Sequence, residues 1–167
     1  MTDDTQLDDV NGAQQEQPQQ EPPRFSLKGQ YIKDLSLENP NAPSSLLASK
    51  EPPKVDLNID LQGQKIQEHL YELTMVINVK AESDKVLFVV ELSYAGLFEL
   101  YNIPEQLLER VLLVDSAFTL FPYVRRVVSD LTRDAGFPPL MLEPVDFLGL
   151  YERRKAAEAQ QGDTTVN

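Results

Sequence analysis

The chain has 167 residues, a length that fits one domain. Its 15 Lys and Arg stand against 27 Asp and Glu, a net charge of −12. That balance argues against nucleic acid or an anionic membrane surface as partner, since both want a basic face. With no cysteine and a single histidine, disulfides, thiolate metal sites, a Cys nucleophile and a His-built metal cluster are all excluded within one chain.

Residues 1–24 read as a disordered acidic tail. Asp3, Asp4, Asp8, Asp9, Glu16 and Glu21 precede any basic residue, and isolated Leu7 and Val10 bury too little surface to offset the entropy of ordering. The opening Met1-Thr2-Asp3-Asp4 carries no apolar stretch of a secretory signal. The longest apolar run, Val86 to Val90, falls far short of the ~20 residues of a membrane helix. A cytoplasmic protein without membrane insertion is expected. The folded domain spans 25–155, and residues 156–167 read as a fraying helix end and polar tail.

In a first strand, Phe25, Leu27, Tyr31, Leu35 and Leu37 take odd positions, while Asp34, Ser36 and Glu38 take even ones; period two assigns the two sets to opposite faces. Asn39-Pro40-Asn41-Ala42-Pro43 breaks it, and an irregular connection runs to Pro52-Pro53. Val55, Leu57, Ile59 and Leu61 then alternate with Asp56, Asn58, Asp60 and Gln62, with Gly63 in a following turn. A third strand runs from Tyr71 to Ala81 and a fourth from Val86 to about Tyr94, with a loop from Gly96 to Ile103. Four strands joined mostly by short polar turns predict an antiparallel sheet.

After Pro104-Glu105, a helix start, the period becomes helical. Leu107, Leu108, Val111, Leu112, Leu113, Val114 and Phe118 make this helix apolar nearly all round, so it must be buried on more than one side. Pro122 either kinks it or begins a second segment that closes at Gly136. Residues 137–144 form a proline-fixed connector, and Val145 to about Gln161 a last amphipathic helix. The expected fold class is α+β: a four-stranded antiparallel sheet, a long buried interface helix and a C-terminal amphipathic helix. The excess of apolar faces predicts self-association through residues 104–135, with Leu108, Val111, Leu112 and Phe118 at the contact.

The seven glycines spell no phosphate-binding loop, so no nucleotide or other cofactor is expected. His69 reads as a solvated turn histidine and Ser116 as a helical core serine, since no nucleophile-elbow glycines flank it. Nothing marks two carboxylates as an acid–base pair, and no enzymatic activity is expected. Two features carry functional alternatives. Asp34, Glu38 and Glu91 beside exposed Val89 and Leu87 form either a solvated sheet face or a docking surface for a basic partner. Val55, Leu57 and Ile59, with Phe147 and Tyr151 nearby, form either core or a shallow apolar groove.

Three blocks resemble the SecB protein-export chaperones in order and spacing: Tyr31-Ile32-Lys33-Asp34-Leu35-Ser36-Leu37-Glu38-Asn39-Pro40-Asn41-Ala42-Pro43, then Leu120-Phe121-Pro122-Tyr123-Val124-Arg125, then Phe137-Pro138-Pro139-Leu140-Met141-Leu142-Glu143-Pro144-Val145-Asp146-Phe147. The resemblance covers about residues 25–152. It implies a homotetramer built as a dimer of dimers. It also implies ATP-independent binding of unfolded precursor polypeptides and their delivery to the SecA translocation ATPase. By the same resemblance, Asp34, Glu38, Val89 and Glu91 dock the basic, zinc-containing C-terminal tail of SecA, and Val55, Leu57, Ile59, Phe147 and Tyr151 line the client groove. The family's crossover often carries aromatics where this chain has Leu46 and Leu47. An oligomeric scaffold or a toxin-neutralising chaperone on the same fold is the alternative.

Overall fold

The computed structural model describes residues 21–47 and 52–162. Strands β1 (Arg24–Glu38), β2 (Lys54–Gln67), β3 (Leu70–Glu82) and β4 (Val86–Tyr101) form one antiparallel sheet in the order β1-β4-β3-β2. A helical layer covers one face: α1 (Glu105–Arg110), a π-helical turn (Val111–Asp115), α2 (Ser116–Asp134) and, after an extended connector, α3 (Phe147–Gly162). The α+β expectation holds. The tails expected over residues 1–20 and 163–167, like the crossover at 48–51, lie outside the described residues; residues 21–23 have no regular structure.

The odd positions of strand β3 keep to one face throughout. Tyr71, Leu73, Met75, Ile77, Val79 and Ala81 all face the helices and are all buried. The even positions of β4, from Phe88 to Leu100, share that face through their pairing with β3. Leu112, Leu120, Phe121, Val124 and Val128 close the core from above.

Strand β1 departs from simple alternation. It carries two one-residue bulges against β4, one at Lys28 and one at Lys33, and each flips the side-chain phase. Between them Tyr31 pairs with Ala95 and faces away from the helices, while Ile32 pairs with Tyr94 on the helix side. Parity alone had Tyr31 with Phe25 and Leu35. The second bulge restores the phase, so Leu35 and Leu37 return to the helix face and Asp34, Ser36 and Glu38 to the outer face.

Two glycines expected in turn and loop lie inside strands instead. Gly63 pairs with Leu73 in β2, and Gly96 pairs with Leu73 from β4. A Cβ on Gly63 would stand 2.7 Å from Leu112 Cδ2, and one on Gly96 2.7 Å from Leu120 Cδ2. Their role is close approach of helix to sheet, not reversal of the chain. Gly136 does end a helix. At φ 91° it closes α2 with its own N–H on the Arg133 carbonyl and the Phe137 N–H on the Thr132 carbonyl, both near 3 Å.

The π-helical turn explains the over-apolar helix. An extra residue in the turn re-phases the chain, so the consecutive Leu112, Leu113 and Val114 are all buried. Ser116, fully buried, donates to the Val111 carbonyl at 3.4 Å within this turn. Pro122 does not start a second segment: one helix runs through it from Ser116 to Asp134.

Candidate functional site

The sheet separates two surfaces of opposite chemistry. Its outer face, away from the helices, gathers the sequence-predicted acidic cluster. Asp34 pairs with Ser93, Ser36 with Glu91 and Glu38 with Val89, so Asp34, Glu38, Val89 and Glu91 share one face. The next two strands add Lys80 beside Val89, Asn78 beside Glu91, and Asp56, Asn58 and Asp60 at the β2 edge. Asp34, Glu38, Glu91, Asp56 and Asp60 stand here; Lys54 pairs with Asp56 at 3.1 Å, and Lys80 pairs with Glu82. Asp34, Glu38 and Glu91 are exposed, and among the described residues none of the three is held in an ion pair. Leu87 corrects the expectation: it is buried, turned toward the helix-side concavity where the β3–β4 register shifts.

The helix side carries apolar hollows along β2. Val55 and Leu57 are each 39% exposed and Ile59 is half-buried, three successive side chains on one face of an edge strand. Val55 lines a concavity of about 540 Å³ with Leu46, Leu47, Leu87, Phe137 and Leu140. Ile59 lines a second, of about 200 Å³, with Leu61, Leu113, Leu150, Tyr151 and Arg154. Leu57 stands on β2 between them. The leucines 46 and 47, exposed at 47% and 73%, supply apolar wall here.

Phe147 is not part of that wall. It is fully buried, edge-on to Phe118 at 5.2 Å and to Phe121 at 5.4 Å, and anchors α3 on α2. Tyr151, one turn on, does reach the hollow; it is half-buried and donates to Glu109 at 3.3 Å. The Asp146 carboxylate accepts the Gly149 N–H at 2.9 Å and caps the helix start. Of the expected interface positions, Leu112 belongs to the chain's own core, lying over Gly63. Leu108 and Val111 are half-buried against that core, and Phe118 is 51% exposed. Ile32 and Tyr123, exposed at 45% and 40%, are further apolar surface that periodicity did not single out. His69 sits in the β2–β3 turn at φ 59°, edge-on to Tyr101.

Sequence reading missed the most connected polar cluster. Glu72 of β3, 5% exposed, accepts from Lys33 Nζ at 2.8 Å, Gln64 Nε2 at 2.8 Å, Thr74 Oγ1 at 3.2 Å and the Tyr31 hydroxyl. Tyr31 and Lys33 reach it across β4, where the facing residue is the small Ala95. Burial alone pushes the Glu72 carboxyl up; the hydrogen bonds from Lys33, Tyr31 and Gln64, with the Lys33 charge, outweigh it and hold it at about 2. The bond to that carboxylate, with burial and its charge, lifts Tyr31 to about 12. A carboxyl depressed from 4.5 stabilises the fold above pH 4.5, and this contribution is lost as pH falls from 4.5 toward 2. The charged groups facing Glu72 are Lys33 and, when ionised, Tyr31; Gln64, Thr74, Ala95 and Leu97 are uncharged. Replacing Glu72 with Gln is expected to remove on the order of 1–3 kcal/mol of stability at pH 7 and roughly half of that or less at pH 3. Urea midpoints of both proteins at the two pH values check this.

The sequence model for preprotein translocase subunit SecB matches residues 17–158. The chain belongs to the SecB family. Protein-export protein SecB of Rhodopseudomonas palustris (strain TIE-1) is 43% identical over 146 residues, covering 87% of this chain and 93% of its own. That of Maricaulis maris (strain MCS10) is 47% identical over 138 residues, with coverages of 82% and 80%. Among solved structures, a SecB-like chaperone of Mycobacterium tuberculosis, in complex with a ChAD peptide from an antitoxin, matches with TM-score 0.63. It covers 73% of this chain and 91% of its own, and at 19% identity it supports the SecB-like fold alone. No helix among the described residues is long and apolar enough to cross a membrane.

Proposed function

We propose that this SecB family member is an ATP-independent holdase of the cytoplasm that keeps precursor polypeptides unfolded for export and hands them to SecA. The observation that carries the reading is the segregation of surfaces by the sheet. An apolar trough flanks β2 on the helix side, and a carboxylate-rich patch occupies the outer face.

The trough suits exposed apolar segments of any sequence, because its walls are aliphatic and aromatic and offer few polar groups to satisfy. Val55, Leu57, Ile59 and Tyr151 contact the client in this reading, with Leu46 and Leu47 taking the place of crossover aromatics. One such trough binds weakly. A homotetramer, built as a dimer of dimers, presents several, and linked weak contacts raise avidity without demanding a motif. Association is supported by the exposed Phe118, Ile32, Leu35 and Tyr123 and by two buried atoms that find no partner among the described residues, Gln30 Oε1 and Arg125 Nε. Only a non-native chain threads several troughs at once, so selection for unfolded clients is topological.

On the opposite face, Asp34, Glu38 and Glu91 around Val89 form the docking surface for the basic C-terminal tail of SecA. The toxin-neutralising alternative has less support, since the export relatives are more than twice as identical as the antitoxin-peptide chaperone.

The test is titration of the purified protein, without nucleotide, with a slow-folding precursor diluted from denaturant, read by light scattering. The expected product is one tetramer carrying one unfolded chain, and no complex with the folded precursor. Equal binding of the native form would overturn the proposal.

A further inference from the structure

The extra residue of each β1 bulge is a lysine, and each lysine is tied to a carboxylate of another strand. Lys28 reaches Glu99 of β4 at 2.9 Å, with both side chains part-exposed. Lys33 reaches Glu72 of β3 at 2.8 Å, where the carboxylate is 7% exposed and Tyr31 and Gln64 also donate to it. A bulge residue has no cross-strand partner in the ladder, so its place depends on what its side chain holds.

We propose that Lys33, held by Glu72, is a positioning residue of the acidic face: it fixes the register that decides which β1 residue stands opposite Glu91. The geometry gives the alternative. With both bulges in place Ser36 opposes Glu91 and Glu38 opposes Val89. Without either, the pairing near Phe25 would continue unshifted and the end of β1 would slide by two residues, about 7 Å. Phase would be kept, but Asp34 would then stand directly opposite Glu91, and Ser36 opposite Val89. Like charges directly opposed repel, and the acids would no longer flank Val89 and Glu91 diagonally. Losing the second bulge alone would turn Leu35 and Leu37 outward and the acids toward the helices. The Lys33–Glu72 pair is well placed to oppose both, because its carboxylate is buried, its hydrogen bonds are shared by three strands and the contact is charge-assisted. Lys28–Glu99, part-exposed, carries much less of this role.

The inference rests on the docking reading for its functional consequence, but not for its structural content. Its test uses Glu72→Gln and Lys33→Met, with Asp34, Glu38 and Glu91 untouched, and two readouts. The first is amide hydrogen exchange. Exchange over residues 31–38 is expected to rise about tenfold or more while β3 and β4 hold, the scale of losing a charged hydrogen bond. The second is affinity for the zinc-loaded C-terminal SecA peptide, expected to fall about fivefold to tenfold as the acids lose their fixed spacing. Lys33→Arg is expected to keep both, and Lys28→Met to leave both near the parent values. If Glu72→Gln fails to fold, Lys33→Met decides. Unchanged β1 exchange in a folded variant would overturn the positioning role. If exchange rises but charge inversion at Glu91 leaves peptide affinity unaltered, the docking reading fails and the register role stands.

Discussion

Gly96→Val is expected to destabilise the protein severely, although valine is among the best strand formers and glycine among the worst. Two opposing effects decide the sign. Strand propensity favours valine by up to about 1 kcal/mol. Against this, the first carbon of the new side chain would stand 2.7 Å from both Leu120 Cδ2 and Phe98 Cε2. Leu120 and Phe98 are completely buried, so neither has solvent to retreat into. Overpacking of a closed core costs about 1–3 kcal/mol for modest insertions, and a branched side chain at this distance lies at or beyond the upper end. The clash therefore wins, and α2 must lift from β4. Gly29→Val is the control: nothing lies within 4 Å of its added Cβ, so the propensity gain is expected to appear unopposed. Urea midpoints of the two variants, at one fixed protomer concentration because assembly contributes to apparent stability, should move in opposite directions.

The same glycine marks where sequence reading stops. Alternation was strong enough in β2 and β3 to fix the strands, their faces and the antiparallel pairing, because a half-buried strand must repeat every two residues. A glycine in such a pattern has two physical meanings, a reversal of the chain or the absence of a Cβ under a helix. One sequence does not separate them, since the helix that needs the space lies some fifty residues further on at Leu112 for Gly63, and over twenty at Leu120 for Gly96. The bulges of β1 were hidden for a related reason. Lys28 falls at an even position, where polarity is expected, and Lys33 is one polar residue within the odd apolar set, too little to mark a bulge; the effect on Tyr31 shows only in the pairing with Ala95. The two phase flips cancel, so parity alone assigns the acids of the outer face to the side they occupy.

The groove was legible in part. Alternation marks Val55, Leu57 and Ile59 as one stripe on one edge strand, and the structure leaves that stripe accessible. Periodicity treats Phe147 and Tyr151 alike, because an amphipathic helix gives both an apolar neighbourhood. Phe147 is spent on joining α3 to α2 through two edge-on aromatic contacts, and only Tyr151 lies far enough along the helix to meet the hollow. Glu72 gave no signal as an even-numbered acid in a strand whose even positions face outward. Its burial depends on Tyr31 and Lys33 arriving from a strand two places away.

Glu91→Lys is expected to abolish docking of the basic SecA tail while leaving client capture intact. Glu91 is exposed on β4, flanked by Ser36 and Asn78 and diagonal to Glu38 and Asp34, so inversion puts a cation at the centre of the patch. Opposing a basic segment with a like charge costs several kcal/mol, which corresponds to a loss of affinity of at least about a hundredfold. Most of the apolar trough lies on the other side of the sheet, and an exposed charge at position 91 is screened over about 8 Å at physiological ionic strength. Glu143→Lys supplies the same change in net charge from the exposed connector before α3, and docking should survive it. Titration of each variant with the SecA peptide and with an unfolded precursor separates the two surfaces. Glu91→Gln should fall between parent and inverted protein, and its deficit should shrink as salt is raised, because what it loses is attraction between exposed charges rather than a packed contact. Parent-like SecA affinity in Glu91→Lys would remove the acidic face from the docking mechanism and leave the trough as the protein's only assigned surface.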